Sequence, residues 1–184
     1  STLKMIGAIA GLENGVTDTL STFAACVGSL QVGDVIFRCN LRSGHGELNL
    51  ISALETSCNT YFQHLAQLIS LEEWRLWANR FGIGQRTGLI FTPNEAEGLL
   101  PSRSYYQQNG GWTLGHLLNM IIGQGAILVT PLQMARFIAA IANGGYMITP
   151  HLSGTAPPPK FIEELSTRPL KIIREAMLRV VYGE

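Results

Sequence analysis

Thr130-Pro131-Leu132-Gln133-Met134-Ala135-Arg136-Phe137-Ile138-Ala139-Ala140-Ile141-Ala142-Asn143-Gly144-Gly145 reads as one helix with both ends marked. Thr130 is the N-cap, Pro131 takes the first turn where its missing N–H costs nothing, and Gln133 is the capping-box partner. Asn143-Gly144-Gly145 stops the apolar run. The same punctuation recurs outward from this stretch. Ser70 with Glu73 caps a helix through Trp74, Leu76 and Trp77 that ends at Phe81-Gly82. Met5, Ile6, Ile9 and Leu12 share one face of a helix that stops at Asn14-Gly15. Leu48 to Leu54, Thr60 to Ile69, Leu114 to Ile122 and Pro169 to Val181 are further helical stretches. Leu30 to Cys39 alternates around Gly33-Asp34 as a short hairpin, Tyr146 to Ile148 is a brief strand, and Gly154 to Lys160, with its three prolines, is a loop. The fold class is mainly α.

The chain has 184 residues, a length that suits one domain with a core of its own. Thirteen Lys plus Arg balance thirteen Asp plus Glu, so there is no basic field to hold nucleic acid. Charged residues make up 14%, below the roughly 25% of an average soluble domain, which implies that other protein covers part of the surface. The apolar stretch Ile121 to Ala142 is broken by Gln124, Pro131, Gln133 and Arg136 and cannot span a bilayer as a clean helix. No signal peptide or anchor is seen.

Ser1-Thr2-Leu3-Lys4 sets a hydroxyl at a helix start and an amine one turn later on the same face. The serine there feels the positive helix end, and a lysine stripped of water can act as its base. Ser57-Cys58-Asn59 adds a hydroxyl and a carboxamide two residues apart, able to point into one cleft. Each pattern is weak alone. They come in order with Gly44-His45-Gly46, Thr60-Tyr61-Phe62, Phe81-Gly82-Ile83-Gly84, Thr87-Gly88, Glu97-Gly98, Ile122-Gly123-Gln124-Gly125 and Val129-Thr130-Pro131-Leu132-Gln133-Met134-Ala135. Together these resemble the transpeptidase domain of class B penicillin-binding proteins, of the elongation type. The resemblance is close from Ser1 to about Pro150 and looser over the last helix.

The resemblance implies the helical subdomain of the serine penicillin-binding protein/β-lactamase-like transpeptidase fold, with a short β-hairpin and the main sheet largely outside the segment. Residues 1–184 would be a partial transpeptidase domain, lacking an upstream anchor and pedestal and a downstream Lys-Thr-Gly strand. The implied chemistry is acyl transfer in cell elongation. Ser1 attacks the penultimate D-alanine carbonyl of a stem peptide, Lys4 is the base, Ser57 relays a proton and Asn59 positions substrate. Peptidoglycan stem peptides, β-lactam antibiotics and other cell-elongation membrane proteins are the implied partners, at the periplasmic face of the inner membrane. Lys-Thr-Gly, the third motif, does not occur, and Arg86-Thr87-Gly88, 29 residues after Ser57, belongs to the glycine phrase between helices. Without that strand, the second oxyanion N–H is missing and the segment alone is expected to be inactive. A serine β-lactamase would need a Glu placed to deacylate the serine, and none stands out; a β-lactam sensor would acylate without transferring.

Cys26, Cys39, His45 and Cys58 have the spacing C-x12-C-x5-H-x12-C and include every cysteine in the chain. Thiolates and an imidazole are what tetrahedral Zn²⁺ takes, and the hairpin returns Cys39 towards Cys26. Elongation-type relatives are similar in carrying metal-ligand residues at corresponding positions, which favours structural zinc. A Cys26–Cys39 disulfide beside a buried Cys58, or three unrelated thiols, are the alternatives. His64 and His116 read as packed or surface histidines, Trp74 and Trp77 as core, and Trp112 as either a groove or a packing residue. Gly123 and Gly125 lack the strand and the Lys-Ser/Thr of a phosphate loop.

Overall fold

A computed structural model describes residues 2–89, 94–155 and 157–183. Its centre is α1 (Lys4–Glu13), whose residues Lys4 to Gly11 are all buried. It packs against α2 (Leu50–Glu55), α3 (Asn59–Leu65), α4 (Leu71–Arg80) and α8 (Thr167–Tyr182). A helix apolar all round belongs inside a bundle, and here it carries one charged side chain, Lys4, into the interior. The remaining elements are β1 (Ser29–Val32), β2 (Val35–Arg38), α5 (Arg103–Gln108), α6 (Leu114–Met120), α7 (Pro131–Ala142), β3 (Tyr146–Met147) and β4 (Lys160–Phe161).

The capping logic holds at α4 and α7, where Ser70 with Glu73 and Thr130 with Gln133 form reciprocal capping boxes. Gln133 goes further than a cap. It is fully buried, and its Nε2 donates to Gln85 O at 2.7 Å and Glu97 O at 2.8 Å, tying two loops to the start of α7. Trp74 and Trp77 lie in the core, with Phe81 packed edge-on to Phe137 at 5.0 Å. Burying large apolar side chains of this kind contributes about 1.5–3 kcal/mol each.

Several boundaries differ from the periodicity. The stretch from Leu48 starts helical geometry only at Leu50, because Asn49 caps it by accepting from Ser52 N at 3.0 Å. The stretch to Ile69 ends at Leu65 in a tighter turn, and the stretch to Ile122 ends at Met120. A short helix, α5, has no counterpart in the apolar periodicity; Ser102 caps it through Tyr105 N at 3.1 Å. The loop read over Gly154 to Lys160 yields its last residue to β4, which pairs with β3 as Tyr146↔Phe161 and Met147↔Lys160. The hairpin β1–β2 closes at Gly33-Asp34 in the register Val32↔Val35. Both sheets have two strands, so the described residues are helix-rich with a small hairpin, as expected. Among them no helix is long and apolar enough to cross a membrane.

Candidate active site

The corner between α2 and α3 decides the site. After Glu55 the chain leaves the helix by a Schellman turn: Ser57 N–H donates to Leu54 O at 3.1 Å and Cys58 N–H to Ala53 O at 2.9 Å. The left-handed position of that turn is normally glycine, yet here it is Ser57, at φ 54°. Cys58 is then extended, at φ −63° and ψ 119°, and α3 begins at Asn59. Alternation through this extended step sends the Ser57 and Asn59 side chains to one side and Cys58 to the other.

On the first side stands Lys4. Its Nζ donates to Ser57 Oγ at 2.8 Å, to Asn59 Oδ1 at 2.7 Å and to Ser57 O. All three ammonium hydrogens are thus accepted, which a lysine only 2% exposed requires. Burial pulls the Lys4 pKa down to about 8, against the raising influence of the nearby Cys39 and Cys58 thiols. Asn59 is held at its other end as well, Nδ2 donating to Arg38 O on β2 at 3.2 Å. Lys4 and Ser57 open onto a cavity of about 410 Å³ lined on its far side by Met177, Val180 and Val181 of α8. Asn59 borders a second groove with Val35 and Ile36 of the hairpin. Ser1 lies outside the described residues.

On the other side the sequence-predicted metal ligands converge. The ligand atoms of Cys26, Cys39, His45 and Cys58 all lie within 4.8 Å of one another. Cys39 and Cys58 sulfurs are 3.8 Å apart, and His45 Nδ1 lies 3.5 Å from Cys39 Sγ and 3.6 Å from Cys26 Sγ. A tetrahedron with metal–sulfur bonds of about 2.3 Å has edges of about 3.8 Å, slightly less where a nitrogen replaces a sulfur, so the donor set fits such an ion. All three cysteines are free thiols, so the Cys26–Cys39 disulfide is not formed.

Backbone geometry brings these ligands together. Cys26 and Gly46 exchange hydrogen bonds of 2.8 and 3.1 Å, which sets His45 beside Cys26. The approach is close enough that a Cβ on Gly44 would lie 2.0 Å from Cys26 O, and one on Gly28 2.0 Å from Arg42 O. Cys39 Sγ accepts from Asn59 N–H at 3.3 Å, and Cys58 Sγ lies 3.2 Å from Thr60 Oγ1. Burial pushes the Cys58 thiol up to about 11. For Cys26 burial also raises the pKa, but hydrogen bonding by its neighbours, the His45 and Gly28 N–H groups among them, outweighs it and brings the thiol to about 7. Cys39 is likewise lowered despite burial, by the N–H groups of Thr60, Leu41 and Asn59.

The remaining residues fall out of the site. His116 Nδ1 accepts from Thr113 N–H at 3.0 Å as a cap, with its ring stacked on Tyr106 at 4.1 Å. His64 packs near Phe23, its pKa lowered by burial. Trp112 packs on Tyr106 under the Arg103 guanidinium, favouring the packing reading. Arg86-Thr87-Gly88 lies in a loop, where Glu95 accepts from Thr87 N–H at 2.8 Å and Glu97 pairs with Arg86 at 3.1 Å. Thr60 does not stand out in the sequence; its place two residues beyond Cys58, in the first turn of a helix, is the signal it carries.

Comparison with known proteins shows the family of the chain. The family model for the penicillin binding protein transpeptidase domain matches residues 1–184. Peptidoglycan D,D-transpeptidase MrdA of Acinetobacter baumannii is 36% identical over 155 residues, 83% of this chain and 23% of that protein. The Escherichia coli K12 protein of the same name is 31% identical over the same share of this chain and 24% of its own. The chain therefore spans about a quarter of the length of these curated relatives. Among solved structures, the complex of Helicobacter pylori penicillin-binding protein PBP2 with MreC superposes with a TM-score of 0.91 at 30% identity, over 100% of this chain and 35% of that one. Pseudomonas aeruginosa PBP2 in complex with WCK 5153 gives 0.89 at 33% identity, over 100% and 44%.

Proposed function

For this chain, which belongs to the penicillin-binding protein transpeptidase domain family, we propose the function of a serine D,D-transpeptidase that cross-links peptidoglycan stem peptides during cell elongation. The observation that carries it is the buried Lys4 Nζ bridging Ser57 Oγ and Asn59 Oδ1 across the Schellman corner. Lys4, neutral in a fraction of molecules because burial lowers its pKa to about 8, takes the proton of Ser1 as the serine oxygen attacks the penultimate D-alanine carbonyl. The tetrahedral intermediate collapses, the C–N bond breaks, and a proton passed through Ser57 Oγ to nitrogen releases D-alanine. An amine of a neighbouring stem peptide then attacks the acyl-enzyme, and the serine recovers its proton. Asn59, clamped between Lys4 and Arg38 O, presents its carboxamide to the peptide. β-Lactams acylate the same serine.

The second part of the proposal is a structural Zn²⁺ held by Cys26, Cys39, His45 and Cys58. Four protein donors leave no open position for water, the pattern of a structural site, and the bound ion would cross-link the hairpin to the α2–α3 corner. The proposed setting is the periplasmic face of the inner membrane, with elongation proteins as partners. The Helicobacter pylori relative seen in complex with MreC supports a protein partner.

A fluorescent penicillin tests the activity in the intact protein. It should label Ser1 covalently, Ser1→Ala should abolish labelling, and the enzyme should transfer its acyl group to an acceptor amine. Labelling at another serine removes the assignment. Stable acylation without transfer turns the reading to a sensor, and rapid hydrolytic turnover turns it to a β-lactamase.

A further inference from the structure

Thr60 sits in the first turn of α3 between the two halves of the site, only 2% exposed, with its Oγ1 3.2 Å from Cys58 Sγ. We propose that Thr60 is a positioning residue of the metal centre, its hydroxyl donating to the Cys58 sulfur and fixing that ligand for the ion. The inference rests on the zinc reading above and deepens it.

A metal-bound cysteine is a thiolate with lone pairs only, so of the two atoms in this contact the hydroxyl must be the donor. Cys58 needs such a donor because it is completely buried and its side chain turns away from solvent. Its neighbour in the cluster is served differently: Cys39 Sγ accepts the Asn59 N–H at 3.3 Å. Two adjacent residues of one helical turn therefore hold two sulfurs that stand 3.8 Å apart, close to the edge of a thiolate tetrahedron. Hydrogen bonds from outside a coordination shell orient ligands, and losing one typically weakens metal affinity about 10–100-fold. The same turn carries the Asn59 carboxamide to Lys4, so what fixes Cys58 also fixes the backbone from which Asn59 projects.

The test compares Thr60→Val, which keeps the shape and removes the hydroxyl, with Thr60→Ser, which keeps the hydroxyl and removes the methyl. Zinc affinity of the intact protein is read by competition with a chromophoric chelator. Thr60→Val should bind about 10–100-fold more weakly, and Thr60→Ser should stay close to the parent. With Co²⁺ in place of zinc, the thiolate-to-cobalt charge-transfer band should shift in Thr60→Val and return in Thr60→Ser, which loss of packing alone would not do. If Thr60→Val does not fold, Thr60→Ala carries the same comparison without risk of overpacking. Parent-like affinity in the hydroxyl-free variant, or an equal loss in Thr60→Ser, overturns the role of Thr60 while leaving the zinc reading intact. A parent protein that takes up no zinc overturns both.

Discussion

Ser57 occupies the left-handed position of the α2–α3 turn at φ 54°, where a non-glycine residue costs roughly 1–2 kcal/mol. The hydroxyl is kept there at that cost because its Oγ accepts from Lys4. Removing the hydroxyl by Ser57→Ala and by Ser57→Gly deletes the same hydrogen bond, so the difference between the two variants isolates the backbone. Glycine regains the left-handed region freely but has more freedom to lose on folding, about 0.4–1 kcal/mol, which offsets part of the gain. Ser57→Gly should therefore be more stable than Ser57→Ala by about 0.5–1 kcal/mol, or roughly 1–4 °C in Tm for a domain of this size. Both should lose penicillin labelling to a similar degree, since both lack the hydroxyl proposed as the relay. Thermal unfolding of the two variants in parallel, with labelling rates beside it, makes the measurement. An alanine variant as stable as the glycine variant, or more so, would refute the claim that strain is held at this residue.

The pH dependence of acylation follows from Lys4. Its pKa is lowered to about 8, and with the neutral amine as the proposed base the labelling rate should rise about tenfold per pH unit from pH 6 to 7 and level off above pH 8. A rate flat across that range would remove Lys4 as the base. Gly44→Ala should cost metal retention, because a Cβ 2.0 Å from Cys26 O at φ 82° can be accepted only if the His45 loop moves away from Cys26; zinc analysis after chelator challenge checks it. Cys58→Ala should lower thermal stability and labelling together, and a variant that lost neither would show that the thiol supports nothing.

Helix identity was legible because these helices carry their stop and start signals in the side chains: Thr130, Pro131 and Gln133, or Ser70 and Glu73, satisfy backbone donors locally. Helix ends without such residues were not. Nothing in the sequence from Thr60 to Ile69 marks the change at Leu65 from helix to tighter turn, and Asn49 with Ser52 was readable as a cap only with a less common N3 partner. In the site, residue types and spacing brought Lys4, Ser57, Asn59 and the Cys26, Cys39, His45 and Cys58 cluster into view. The left-handed conformation of Ser57 was hidden, since Glu55-Thr56-Ser57-Cys58 contains no glycine to announce a Schellman turn. The backbone route that brings Cys26 to His45 was hidden as well. It depends on the Cys26 and Gly46 backbone bonds and on two glycines without side chains, a long-range approach that no local pattern encodes.

The two halves of the site share one piece of backbone, and that limits how independent they can be. Ser57 and Asn59 are fixed to Lys4 from one side, while Cys58 and the Asn59 N–H are fixed to the thiol cluster from the other. Between them lie three consecutive residues, one left-handed, one extended and the last opening α3, with two Schellman bonds tying the first two back to α2. A catalytic group must be held to about 0.5 Å, and side chains projecting from a corner between two short helices gain from being gripped on both sides. Loosening the thiol side should thus move Ser57 and Asn59 relative to Lys4 although neither touches a sulfur with its side chain. The coupling runs in the other direction too: Lys4 holds the turn that presents Cys58, so Lys4→Met should weaken metal retention as well as abolish acylation. Unchanged zinc affinity in Lys4→Met would mean that the thiol side alone is rigid enough, and that the corner is gripped from one face.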